Sequence, residues 1–337
     1  MKRCMLFLWL TIIVFSISSC QPKEENRKLI LDNTIVKTDE AYDYLKMETD
    51  IKALEQRYPD KMEVFHIGES VEGRKLYGIK IGNGSQKLLI TAAFHAREWM
   101  TSYLLMNLIE LFLRYEKDGK KLEGYNLSQV LEETTFYFIP MLNPDGVDLV
   151  LNGVGMRDGE KLMEMNEGSD DFTRWKANIM GTDLNRQFNA HWEDTDSKEQ
   201  PSFENYKGEH VLDQPESQAI AEFTLKINPD MAAAYHLSGS IIFWYYNQTG
   251  KQYKRDYKIA KKISRLTGYI LVKEEESDNI AAGYKDWFVK KFERPGYTIE
   301  IGDKKYDSIT VEDIDQFILE NRQVLLYLAK MAGKLED

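Results

Sequence analysis

The sequence predicts one α/β domain, a mixed and largely parallel sheet with helices on both faces, and three observations carry that expectation. Lys87 to Phe94 (KLLITAAF) is an apolar run of strand length, and from Trp99 the apolar residues recur at three- and four-residue steps, as on a long helix. Thr134 to Met141 (TTFYFIPM) is a second largely apolar run beyond that helix, and two buried strands separated by a helix make a parallel βαβ unit. The chain is also long enough: 337 residues, 43% hydrophobic and 29% charged, suit one large domain or two smaller ones.

The first residues stand apart. Lys2 and Arg3 precede an apolar run from Met5 to Phe15 that is too short to span a bilayer, and Ser16-Ile17-Ser18-Ser19 leads into Cys20. Residues 1–19 read as a secretory signal. Its ending resembles the lipobox of bacterial lipoproteins, which implies cleavage before Cys20 and diacylglycerol on its sulfur; the alternative is an ordinary signal with an incidental cysteine. The expected location is then the bacterial cell envelope, with the membrane reached through a lipid anchor. The second cysteine, Cys4, lies in the discarded segment, so the mature chain has no disulfide. Removing Lys2 and Arg3 takes the formal charge from -11 to -13. An acidic surplus of that size excludes nucleic acid as a partner, because phosphate contacts need clustered Lys and Arg. Residues 20–40, polar from Gln21 to about Lys37, read as a tether, and residues 41–337 as the folded domain, expected to be monomeric.

Within the domain, Tyr42, Tyr44, Leu45, Met47, Ile51 and Leu54 predict an amphipathic helix ending near Tyr58-Pro59. Met62 to Ile67 and Leu76 to Ile81 read as strands joined by the turn-rich Gly68 to Arg74. Residues 151–215 show little periodicity, and so long a loop in a compact domain is either functional or conceals an element. Pro215 to Leu225 reads as a helix and Met231 to Tyr235 as a strand that delivers His236. Strands at Ile241 to Tyr246 and Ile270 to Lys273 flank a basic helix from Tyr253 to Thr267. A helix opens at Gly283, Gly296 to Gly302 is a strand, and one last helix runs from Val311 to Met331.

Chemistry-bearing residues fall at strand ends, where open α/β sheets place their sites. His95-x-x-Glu98 follows the Lys87 to Phe94 run, and imidazole and carboxylate are both zinc ligands. The other reading of the pair is a surface histidine beside a glutamate that the helix dipole favours. Glu300 sits between Ile299 and Ile301 on a strand; unless that strand lies at an edge, such a carboxylate is paired, metal-linked or catalytic.

His95-x-x-Glu98, Asn143-Pro-Asp-Gly146, Asp183-Leu-Asn-Arg186, His236 and Thr298-Ile-Glu300, in that order, resemble the zinc carboxypeptidase family over about residues 41–330. Arg174-Trp-Lys-Ala-Asn178, Ala282 to Phe288 (AGYKDWF) and Arg294 to Glu300 (RPGYTIE) look like its bacterial γ-D-glutamyl-L-diamino acid endopeptidase I branch. The resemblance implies one zinc ion on His95, Glu98 and His236, with water activated there and Glu300 as general base. It places Asn185 and Arg186 at the substrate's terminal carboxylate, and Lys176 where many relatives carry a carbonyl-polarising arginine. Lys285 falls on the residue that faces the leaving-group side chain. The family's mobile tyrosine aligns with Asp278, and Tyr284 nearby is not assigned that role. The implied activity is hydrolysis of the γ-D-glutamyl to meso-diaminopimelate bond in peptidoglycan stem peptides. A plain metallocarboxypeptidase, a zinc deacylase of the aspartoacylase type and an inactive wall-binding lipoprotein are the rivals; a retained Glu300 counts against the last.

Overall fold

The chain enters the fold through helix α1 (Tyr44–Arg57), capped by Asp43, whose carboxylate accepts from the Lys46 N–H at 2.8 Å. The computed structural model describes residues 34–37, 39–273 and 282–335. From Ile35 onward the chain is one compact unit. Ile35 and Val36, inside the stretch read as tether, donate their backbone N–H groups to the two carboxylate oxygens of Glu110 at 2.8 and 2.9 Å. Antiparallel strands β1 (Met62–Glu69) and β2 (Lys75–Ile81) follow α1. Strand β3 (Gln86–Ala92) then passes through a 3-10 turn, Ala96–Glu98, into helix α2 (Met100–Lys117). A hairpin of β4 (Lys121–Leu122) and β5 (Tyr125–Asn126) and a short helix, α3 (Leu127–Glu133), lead to β6 (Thr134–Ile139), which pairs parallel with β3 as expected.

Helices α4 (Pro144–Asn152), α5 (Gly159–Met165) and α6 (Pro215–Ile227) precede β7 (Met231–Leu237) and β8 (Ile241–Phe243). The remainder is α7 (Gly250–Thr267), β9 (Ile270–Leu271), α8 (Tyr284–Phe292), β10 (Gly296–Ile301), α9 (Ile314–Asn321) and α10 (Val324–Ala332). The sheet order is β1-β2-β6-β3-β7-β10-β8-β9. The four central strands β6, β3, β7 and β10 are mutually parallel, while β2 against β6 and β8 against β10 are antiparallel.

Alternation along the strands splits the core between two faces. Leu89, Ala232 and Ala234 pack with Ile220 of α6 and Phe288 of α8. Their neighbours Leu88 and Ile90 therefore point the other way, where α2 and α10 lie against β3. Every residue from Met100 to Leu113 is buried, so α2 is covered all round.

Three expectations need correction. The last helix is two, because at the junction Arg322 and Gln323 both turn to the Glu123 carboxylate, and the Asn321 amide bonds the carbonyl of Phe317 and the hydroxyl of Tyr269. The strand expected over 241–246 stops at Phe243, since the Gln248 side chain takes the Trp244 carbonyl and the Tyr246 N–H and folds the segment back. His236 lies within β7, one residue before its end, rather than beyond it. The aperiodic stretch 151–215 holds one α-helix, α5, and a 3-10 turn, Leu184–Arg186, and is otherwise mostly loop. Among the described residues no helix is long and apolar enough to cross a membrane. Cys4, Cys20 and Asp278 lie outside them.

Candidate metal centre and substrate cavity

The carboxyl ends of three adjacent central strands build the site. β3 leads to His95 and Glu98; β7 carries His236; β10 carries Glu300, which stands opposite His236 in the parallel register. The turn after β3 is braced from outside. Ala96 and Arg97 donate backbone N–H groups to the carbonyls of Lys176 and Trp175. The Asn143 amide donates to the carbonyls of Phe94 and Ala177, while its oxygen accepts from the Gly146 N–H and caps α4. A Cβ on Gly146 would come within 2.8 Å of both Ala96 Cβ and the Ala177 carbonyl, so the close approach of α4 to the His95 turn demands glycine. The Asn-Pro-Asp-Gly motif is thus a bracket that holds the turn in place.

His95, Glu98 and His236 are buried, and one ligand atom from each lies within 4.8 Å of the other two. His95 Nδ1 is 2.7 Å from Glu98 Oε1 and 3.1 Å from His236 Nδ1, which is itself 2.9 Å from Glu98 Oε2. On its far side, His95 Nε2 faces Asp183 Oδ1 at 3.2 Å, and a carboxylate there takes the ring proton and leaves the Nδ1 lone pair pointing inward. Two imidazole nitrogens and a carboxylate thus converge with more lone pairs than protons to share, and a cation suits that imbalance. The donor set of two nitrogens and one carboxylate, with one side open to a cavity, is that of a catalytic zinc site. Burial keeps His95 toward its neutral, ligating form, against the opposing pull of Glu98. Glu98 would be pushed up by burial but is held well below the carboxylate range by the two imidazoles. His236, which burial alone would lower, is raised by Glu98.

Glu300 behaves differently from Glu98. Burial drives its carboxyl up to about 7, with Glu98 adding to the rise and His236, Lys176 and Arg97 opposing it. Lys176 reaches the same space from the loop after α5, its ammonium 3.0 Å from Asp183 Oδ2. Asp183 therefore joins His95 to Lys176, and the Lys176 ammonium, with the His95 ring next, holds it far below its usual range against the cost of burial.

A cavity of about 290 Å³ opens beside the three ligands, lined also by Glu300, Lys176, Asn185, Arg186, Lys285 and Asp286. All eight residues singled out from the sequence, with the three metal-competent ones among them, thus meet in one place. Asn185 Oδ1 accepts the Tyr284 N–H at 2.9 Å and so pins the start of α8. Arg186 uses Nη1 on the Asn185 carbonyl. Tyr284 is buried with its hydroxyl 3.0 Å from Thr224 Oγ1, away from the cavity.

Four residues went unassigned from the sequence. Asp183 was visible only as the first letter of a motif, since nothing local says that it will face a histidine 88 positions away. Asp286 stood beside Lys285 in a quoted segment. Arg97 and Tyr306 also line the cavity, with the guanidinium 4.2 Å from the ring centroid.

Residues 47–329 match the zinc carboxypeptidase family. The chain is 35% identical to γ-D-glutamyl-L-diamino acid endopeptidase 1 of Lysinibacillus sphaericus, over 84% of this chain and 73% of that protein. It is 29% identical to carboxypeptidase B2 of Bos taurus, over 78% of this chain and 63% of that one. Among solved structures, bovine thrombin-activatable fibrinolysis inhibitor in complex with tick carboxypeptidase inhibitor superposes with a TM-score of 0.72 at 21% identity, covering 88% of this chain and 99% of that one.

Proposed function

The chain belongs to the zinc carboxypeptidase family, and from that footing we propose that it hydrolyses the γ-D-glutamyl to meso-diaminopimelate bond of peptidoglycan stem peptides. The observation that carries this reading is the charge of the cavity: Arg186 and Lys285 both line it, and neither an apolar nor a simply basic leaving residue needs the second cation. The name of the Lysinibacillus relative points the same way.

His95, Glu98 and His236 would hold the ion. Zinc in such a site supplies Lewis acidity, which polarises a carbonyl and acidifies water. Glu300, beside His236, is the group that takes a proton from the attacking water and returns it to the departing amine; a carboxyl raised toward neutrality suits both transfers. Lys176 offers positive charge where oxyanion character develops on the scissile carbonyl, without the two-pronged grip of a guanidinium. Asn185 and Arg186 grip the free α-carboxylate of the leaving residue, a contact suited to Arg.

The same residues serve a plain metallocarboxypeptidase, and carboxypeptidase B2 among the relatives keeps that second reading in play. Defined substrates separate the two. The purified enzyme, incubated with L-alanyl-γ-D-glutamyl-meso-diaminopimelate and with blocked α-linked dipeptides ending in Phe, Arg or Lys, should release diaminopimelate from the first and leave the others intact. Release of C-terminal residues from the α-linked set at equal efficiency would establish the second reading. We also propose that the protein acts at the cell envelope through a lipid on Cys20, in which case Cys20→Ala should release it from membranes.

A further inference from the structure

We propose that the exposed face of α7 is a docking surface for an anionic membrane leaflet, and that it lays the catalytic domain side-on against the bilayer. The inference goes beyond the activity proposed above and shares with that reading only the lipid on Cys20. Residues 250–267 carry seven Lys and Arg against one Asp, in a chain whose formal charge is -11. That one, Asp256, is buried and taken by Arg255 at 2.7 Å. Lys251, Lys254, Lys258, Lys261 and Arg265 recur at steps of three and four and are all exposed. At 1.5 Å per residue they make one stripe about 21 Å long. The buried Ile259, Ala260 and Ile263 hold the opposite face. Among the described residues none of the five pairs with a carboxylate, whereas Lys52 on α1 meets Glu48 at 3.2 Å. Like charges spaced this way repel along the helix, and an anionic surface relieves that repulsion. Tyr253 and Tyr257, half-buried beside the stripe, stack with ring centroids 6.0 Å apart, and Ile270, 68% exposed, follows the end of the helix at Gly268. Rings and an aliphatic side chain at the margin of a cationic face suit the headgroup region.

The place where the chain enters the fold argues for a membrane as the occupant. Ile35 and Val36 are held on Glu110 of α2; α2 packs on α9, and α9 and α10 pack on α7. The entry point and the stripe therefore belong to one helical layer on one face of the sheet. Fifteen residues separate Cys20 from Ile35, a reach of at most about 50 Å. A lipid on Cys20 would keep this layer within reach of the leaflet, where the raised effective concentration makes even a weak contact count. Because α7 connects β8 to the parallel β9, it runs along the strands. Laid on a leaflet, it turns the strand ends and their cavity sideways, open to substrate arriving along the membrane.

The test is vesicle flotation with the chain from Gln21, which carries no anchor and keeps the whole compact unit that begins at Ile35. Wild type should bind vesicles of about 30% phosphatidylglycerol in phosphatidylcholine at least tenfold more tightly than pure phosphatidylcholine, and should release them at about 0.5 M salt. Lys254→Glu, Lys258→Glu and Lys261→Glu combined should weaken that binding tenfold or more, with kcat/KM on a soluble tripeptide unchanged. Lys226→Glu, Lys290→Glu and Lys291→Glu, on α6 and α8 across the sheet, give the same net charge and should weaken it less than about threefold. Equal binding to both kinds of vesicle, or equal loss in the two variants, overturns the proposal. Binding to soluble polyphosphate with none to the vesicles also overturns it, and gives the stripe to a phosphate polymer instead. Should a variant fail to fold, the lipid preference and salt dependence of wild type still decide. Wild type that binds the anionic vesicles but cuts no tripeptide would leave the docking surface standing and bring down only the proposed activity.

Discussion

Two charge clusters flank helix α4, and they are built on opposite principles. On one side, His95, Glu98 and His236 converge with their acceptors facing one another. On the other, Arg74 and Arg157 are threaded among Glu72, Asp145 and Asp148. Arg74 reaches Glu72, Asp145 and Asp148 at 2.6, 2.7 and 3.0 Å, and Arg157 reaches Glu72 and Asp148 at 2.5 and 2.7 Å. The Ser70 hydroxyl and the Glu72 N–H both donate to Asp145, so the fully buried carboxylate is satisfied from three sides. A cluster whose charges are all answered stabilises the fold; one whose lone pairs confront each other is waiting for a cation. The helix joins them physically, since Asn143 at its start braces the His95 turn and Asp145, two residues on, anchors the arginines. Burial and charge density alone do not distinguish a site from a scaffold; the balance of donors and acceptors does.

The largest effect expected from breaking the first cluster is loss of metal and activity together. His236→Ala removes one of three protein ligands, and should abolish stoichiometric zinc and all measurable turnover while the protein still folds. Full metal content by elemental analysis would remove His236 from the ligand set. Glu300→Gln is the next step down. It should retain zinc and substrate affinity and lose roughly a hundred- to ten-thousandfold in kcat, the usual worth of a proton carrier. A variant with more than about a tenth of wild-type turnover would assign the base to another group.

Breaking the second cluster should read out in the opposite coordinate. Arg74→Met leaves the buried Asp145 without its cation, and should cost about 2 to 4 kcal/mol of stability, toward the lower end because the guanidinium is partly solvated. Per folded molecule, zinc content and kcat/KM should stay within a fewfold of wild type. A folded Arg74→Met protein that binds no zinc would show that α4 transmits between the clusters and that the division drawn above is wrong.

The two clusters were not equally legible in the sequence. The metal-competent side was, because His95, Glu98, His236 and Glu300 are ionisable residues placed against apolar strands, and the pattern of β3, β6, β7 and β10 is continuous enough to place them. The arginine cluster was not. Glu72 and Arg74 sit in what reads as a polar turn, Arg157 in an aperiodic stretch, and Asp145 in a motif whose structural use shows only when Ser70 and Arg74 arrive from 75 and 71 residues away. Short elements escaped for a related reason: α3 buries only Leu127 and Leu131, too few positions to establish a period. The break between α9 and α10 is set by Glu123, about 200 residues away, and no local pattern contains it.

Acid titration of stability offers the smallest effect and the sharpest contrast, because Glu72 in the arginine cluster and Glu300 beside the metal-competent one should respond with opposite signs in metal-free protein. Glu72 is held below its usual 4.5 chiefly by its hydrogen bonds from Arg157. A lowered carboxyl means that the unfolded chain binds the proton first, so the stability it contributes is complete above about 4.5 and is lost as pH falls through the folded value. Glu300 is raised to about 7 by burial. There the folded chain binds the proton first, so its contribution is complete below about 4.5 and is lost as pH rises toward 7. Denaturant melts of chelator-treated protein across pH 3 to 8 should therefore show Arg157→Met flattening the acid limb below 4.5. Glu300→Gln should instead flatten a decline between about 4.5 and 7. If both variants altered the same limb, the carboxylates would share one electrostatic environment, and the contrast between an answered and an unanswered cluster would not hold.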